Sequence, residues 1–188
     1  MSAVFRCRAA LLIPLLLLGW PAVADTTDTT DTELLAQLRS NAPECGRFEQ
    51  SRWLADFEMH LNSSGVFQRQ PDGLIWRTTA PVLSEIALTE NNPELPLGYQ
   101  AILPVFNGLL AGNLDALNDY FTTQLHGNST AWRAELTPRS EQVAAQLTGL
   151  AIEGAEQLEK ISVAFGDGDR MDISLLPTDC SALDQTQQ

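Results

Sequence analysis

From Gly46 onward the apolar residues stop recurring at helical spacing and begin to alternate, in short segments separated by turn signals. No other feature restricts the fold as strongly. A strand reads over 48–53, a second over 63–70 and, after Pro71-Asp72-Gly73, a third over 74–79. A fourth follows Ala80-Pro81, over 82–89. Strands resume over 120–125 and 131–136, and the last three read over 146–152, 158–165 and 170–175. Asp167-Gly168, between the final two, is a hairpin signal. Roughly nine strands with few helices predict an α+β, mostly β layer built as an antiparallel meander, not alternating βαβ units.

The helical segments are few. One starts at a cap on Asp31 or Thr32, carries Leu34, Leu35 and Leu38 as a stripe, and ends at Asn41-Ala42-Pro43. A second, over 100–111, places Ile102, Phe106, Leu109 and Leu110 on one face, with Pro104 in its first turn. Asn113 caps a third, with Leu114 and Leu117. An antiparallel sheet needs one covered face, and these helices are the cover the chain offers. The interior between sheet and helices is either packed solid or a cavity.

The N-terminus reads as a secretory signal over 1–24. Arg6 and Arg8 precede the apolar run 9–18, and Ala22-Val23-Ala24 is an A-x-A cleavage site. The run is about half the roughly 20 residues needed to span a bilayer, and Pro14 interrupts it. Cleavage after Ala24 would send the chain to the periplasm. Residues 25–30, a polar repeat, are expected to be a flexible leader, and 31–188 a single domain. Cys7 would leave with the signal. The remaining pair, Cys45 and Cys180, predicts a disulfide in an oxidising compartment.

Charge narrows the partners. The chain carries 24 Asp+Glu against 11 Lys+Arg, and its formal charge is −13. Lys160 is its one lysine. Phosphate backbones are gripped by Lys and Arg that displace counterions, so nucleic acid is not an expected partner, nor is an anionic membrane surface. Catalytic signatures are missing too: the sequence holds no G-x-S-x-G elbow, no P-loop and no H-E-x-x-H. Two histidines, His60 and His126, leave little for a metal site. The run Asp167-Gly168-Asp169-Arg170-Met171-Asp172 lacks the spacing and terminal glutamate of a calcium loop. A non-enzymatic protein without cofactor or metal is expected.

Phe48-x-Gln50-x-Arg52, Ser64-Gly65-x-Phe67 and Gly73-Leu74-x-Trp76, with Pro81 shortly after, resemble the bacterial periplasmic lipoprotein-carrier family, the LolA-like proteins. The resemblance is clearest over 45–89. It implies an incomplete antiparallel β-barrel, a curved sheet with a helical lid over an apolar cavity. It also implies a carrier that takes acyl chains of a lipoprotein or lipid from an inner-membrane releasing complex or exporter. Such a carrier passes its cargo to an outer-membrane acceptor, and a monomer is expected. In the carriers an Arg-Pro dipeptide ends the second strand, and that arginine helps hold the lid shut. Here the dipeptide is Gln70-Pro71, which leaves a glycolipid or other acyl cargo open beside lipoproteins.

Under that resemblance Phe67, Leu74 and Trp76 share the concave face, and Ile86 and Leu88 continue it on the next strand. Phe106, Leu109 and Leu110 would be the inner face of the lid, and Trp132 and Leu136 are weaker candidates for the cavity wall. Ordinary core packing is the alternative for each. Phe48, Gln50 and Arg52 share one strand face, where a structural role in packing and hydrogen bonding is expected. The competing functions are a lipid-sensing or regulatory binding module of the same fold and, less consistent with the missing motifs, a small secreted hydrolase.

Overall fold

The computed structural model describes residues 27–89, 92, 95, 103, 106, 108 and 115–184. The signal stretch 1–24, Ile102, Leu109 and Leu110 lie outside them. Nine strands form one sheet: β1 (Cys45–Leu54), β2 (Met59–Gln70), β3 (Gly73–Ala80), β4 (Ser84–Thr89), β5 (Phe121–Asn128), β6 (Ala131–Pro138), β7 (Leu147–Gly154), β8 (Leu158–Phe165) and β9 (Arg170–Pro177). Their order is β4-β3-β2-β1-β9-β8-β7-β6-β5. The sheet is therefore two antiparallel meanders joined where β1 pairs with β9, from Gly46 opposite Pro177 to Trp53 opposite Arg170. It is curved and not closed, and β4 and β5 are its edges.

Strand parity sorts the side chains. Phe48, Phe67, Leu74, Trp76 and Leu88 face inward on β1 to β4, and Trp132, Leu136, Leu150, Ile161, Val163, Met171 and Ile173 do so on β6 to β9. They form one buried cluster with Leu34, Leu38, Leu95, Leu103, Phe106 and Leu117. Arg47, Glu49, Arg133, Glu135 and Asp172 stand among the alternate, outward residues, in keeping with a sheet that buries one face and wets the other.

Helix α1 (Thr27–Ser40) lies against the inner face through Leu34 and Leu38. Its end is fastened by side chains. Gln37 Nε2 donates to the carbonyls of Ser129 and Ala155 at 3.0 and 3.2 Å, and Asn41 Nδ2 to that of Glu156 at 2.9 Å. The helix begins at Thr27, ahead of the cap expected at Asp31 or Thr32, so that expectation is corrected. Once a helix is nucleated, each added residue contributes a hydrogen bond at little cost, and it extends past its apolar stripe. Among the described residues the short helices α2 (Asp115–Tyr120), α3 (Glu141–Ala144) and α4 (Cys180–Asp184) follow. Cys45 and Cys180 form a disulfide that ties the start of β1 to α4.

Of the helix expected over 100–111, the structure describes Leu103, Phe106 and Gly108, all helical. A lid as a unit is not described. Phe67, Leu74, Trp76, Leu88 and Phe106 are each at most 3% exposed, so these five side chains are buried. Apolar side chains that nothing else occupies close on one another, because exposed apolar area is unfavourable in water.

Candidate acyl-binding face

The centre of the inner face is an aromatic stack around Trp76. Phe48 lies parallel to it with ring centroids 3.8 Å apart. Phe67 is stacked at 6.2 Å, and Phe106 meets it edge-on at 5.3 Å. Two glycines make room. Phe48 is opposite Gly65 across β1 and β2, and Gly46 is opposite Phe67. Each ring leans over the glycine of the facing strand. A Cβ at Gly46 would meet the Phe67 ring at 2.5 Å, and one at Gly65 would meet Phe48 at 2.8 Å and the Arg77 carbonyl at 2.0 Å. The Gly-x-Phe spacing in both strands is thus a packing device: bare backbone lets each ring lean over its neighbour, and Phe48 reaches Trp76 on the third strand.

The structure brings Phe67, Leu74, Trp76, Leu88 and Phe106 into this cluster, with Ile86 half-buried against it. Leu109 and Leu110 lie outside the described residues. Trp132 and Leu136 belong to the same buried cluster from the other meander. Trp132 Nε1 donates to the Ala155 carbonyl at 2.8 Å, which satisfies its polar atom. Phe48, expected to pack, does so, with the shortest ring-centroid distance to Trp76 of the three rings. Its position opposite a glycine was the available signal.

At the other end of β1, Arg52 has a defined partner. Its Nε and Nη2 donate to Asp169 Oδ2 at 3.0 and 2.7 Å, and the Ala55 N–H donates to Oδ1 at 2.9 Å. Asp169 is buried and sits in the β8–β9 turn. The Ala55 N–H, then the Arg52 hydrogen bonds, hold its carboxyl below the ordinary value of 3.8 despite the opposing effect of burial. A lowered folded-state pKa means that the unfolded chain binds the proton more readily. The stabilisation is then present above about pH 4 and lost as pH falls through the lowered folded-state value. Asp169→Asn is expected to lower the urea midpoint at pH 7 and to reduce the further loss on going to pH 3. An unchanged pH dependence in that variant would contradict this assignment.

Grooves formed by described residues open on the outer face. One of about 730 Å³ is lined by Arg47, Val66, Arg77, Leu83, Leu176 and Leu183, and another of about 540 Å³ by residues of β1, β2 and β9 with Pro81. Among the described residues no group of three His, Cys, Asp or Glu is placed to hold a metal ion. No described helix is long and apolar enough to cross a membrane.

No model of a known protein family matches the chain, and no curated protein matches it. Among solved structures it is similar to the crystal structure of a LolA superfamily protein from Nitrosomonas europaea. The two share 11% sequence identity and a TM-score of 0.40, over 80% of this chain and 94% of that one.

Proposed function

We propose that this protein is a periplasmic carrier that binds the acyl chains of a lipoprotein or another lipid against the inner face of its sheet. It would take the cargo from an inner-membrane releasing complex or exporter and deliver it to an outer-membrane acceptor. The observation that supports this most is the Trp76 stack. It is a continuous apolar surface on an unclosed sheet, and Phe106, from the segment linking the two sheet edges, rests on it through an edge contact. An acyl chain can take the place of Phe106 and Leu103.

The energetics suit a carrier. Each methylene removed from water is worth about 0.8 kcal/mol. Most of that gain is offset, because the cargo displaces side chains that already cover the face. Net affinity stays modest, and cargo can leave. No bond is made or broken, which agrees with a sequence that lacks catalytic signatures.

Binding of a fluorescent fatty acid tests the proposal. Leu74→Glu should abolish it, and circular dichroism reports whether that variant folds. Phe106→Ala supplies an independent sign: it should lower thermal stability yet tighten probe binding about tenfold, because the competing cover is removed. Core packing alone predicts lower stability with no gain in affinity.

A further inference from the structure

One edge of the sheet is open within a strand. β1 pairs with β2 from Met59 through Gln68, but β3 joins β2 only from Ser64, opposite Ala80. Along Met59–Ser63 every second N–H and C=O therefore points away from β1. Among the described residues no backbone hydrogen bond reaches that side. Met59, His60, Leu61, Asn62 and Ser63 include no lysine, proline or acid, the usual means of blunting an edge.

The same end is apolar and held in place. Phe57 is 72% exposed, Met59 50% and Leu61 47%. Val82 and Leu83, just beyond Ala80, are also exposed. Phe57 belongs to a 3-10 turn, Ala55–Phe57, whose first N–H is bound by Asp169, itself gripped by Arg52. Glu58 closes the hairpin at φ +48°, with its N–H on the Ala55 carbonyl. Fixed hydrogen bonds, not fraying, present these side chains to solvent.

We infer that the Met59–Ser63 edge docks an extended, basic strand of a partner protein by main-chain pairing. A lipid surface fits poorly, because hydrocarbon leaves N–H and C=O groups unsatisfied. A second copy would set two chains of net charge −13 against each other. On an added strand, apolar residues would lie beside Met59 and Leu61 on the inner face. The alternate residues would fall on the outer side, where Glu49 lines the 540 Å³ groove with Asn62 and Ser63, while Asp172, two strands in from β2, is held by Lys160 and Ser162. Lysine or arginine complements Glu49. The proposal is independent of whether the inner face binds acyl chains.

The test uses a fluorescein-labelled peptide of alternating valine and lysine, ten residues long, and a copy N-methylated at every second amide. The unmodified peptide should bind with micromolar affinity and slow hydrogen exchange at Met59–Ser63. Leu61→Lys should weaken binding about tenfold, with thermal stability unchanged. Equal binding of the N-methylated copy, protection elsewhere or no binding would overturn the inference. So would binding to phosphatidylethanolamine–phosphatidylglycerol vesicles, or dimerisation, that Leu61→Lys abolishes.

Discussion

Trp76→Ala should destabilise the protein by about 4 kcal/mol, within the usual range for removing a buried aromatic. The ring is 3% exposed and contacts Phe48, Phe67 and Phe106. Its loss leaves a cavity bounded by three rings that cannot all move in, because Phe48 and Phe67 are already laid over Gly65 and Gly46. Relaxation is therefore limited, and limited relaxation places the cost in the upper part of that range. Urea unfolding checks the magnitude. Fatty-acid binding should weaken in the same variant if the stack is the acyl-binding surface. A cost below about 1 kcal/mol would mean that the stack does not organise the core.

Opening the disulfide should have a comparable effect through the unfolded chain. Cys45 and Cys180 are 135 residues apart, and the bridge is the covalent counterpart of the β1–β9 seam that joins the two meanders. In the folded protein that seam is already held by ladder hydrogen bonds and by the Thr178 N–H on the Cys45 carbonyl. The bridge adds little there. It acts by denying the unfolded chain its open conformations, and chain entropy for so long a loop gives about 5 kcal/mol as an upper value. Cys45→Ser with Cys180→Ser should therefore lower stability by roughly 3–5 kcal/mol. The urea m-value should rise, since the uncrosslinked chain exposes more surface. An unchanged m-value would argue against this mechanism.

What the sequence carried was local. Alternation and turn signals located the strands because a half-buried strand must alternate and a hairpin must turn. Asp167-Gly168 marked the β8–β9 turn for that reason, and Gly168 there has φ +90°. The cysteine count anticipated the bridge. The β1–β9 pairing was not legible, because it joins segments far apart in sequence and no periodicity encodes a distant neighbour. The extension of β2 back to Met59 was missed for a related reason. Its apolar residues, Met59 and Leu61, are exposed, so alternation there reflects an edge and not a core. Arg52 was read correctly as needing a partner, but Asp169 could be identified only after the sheet brought the β8–β9 turn beside β1. Parity on neighbouring strands placed Phe67, Leu74, Trp76 and Leu88 on one face. The contact of Phe48 with Trp76 was not legible, because it crosses an intervening strand.

Native mass spectrometry of residues 25–188, exported to a bacterial periplasm and followed by lipid extraction, tests the carrier reading most directly. The expected result is a copurifying acylated species at near-unit stoichiometry that is lost in Leu74→Glu. An empty protein that also fails to bind a fluorescent fatty acid would contradict it and leave the Trp76 stack as core alone.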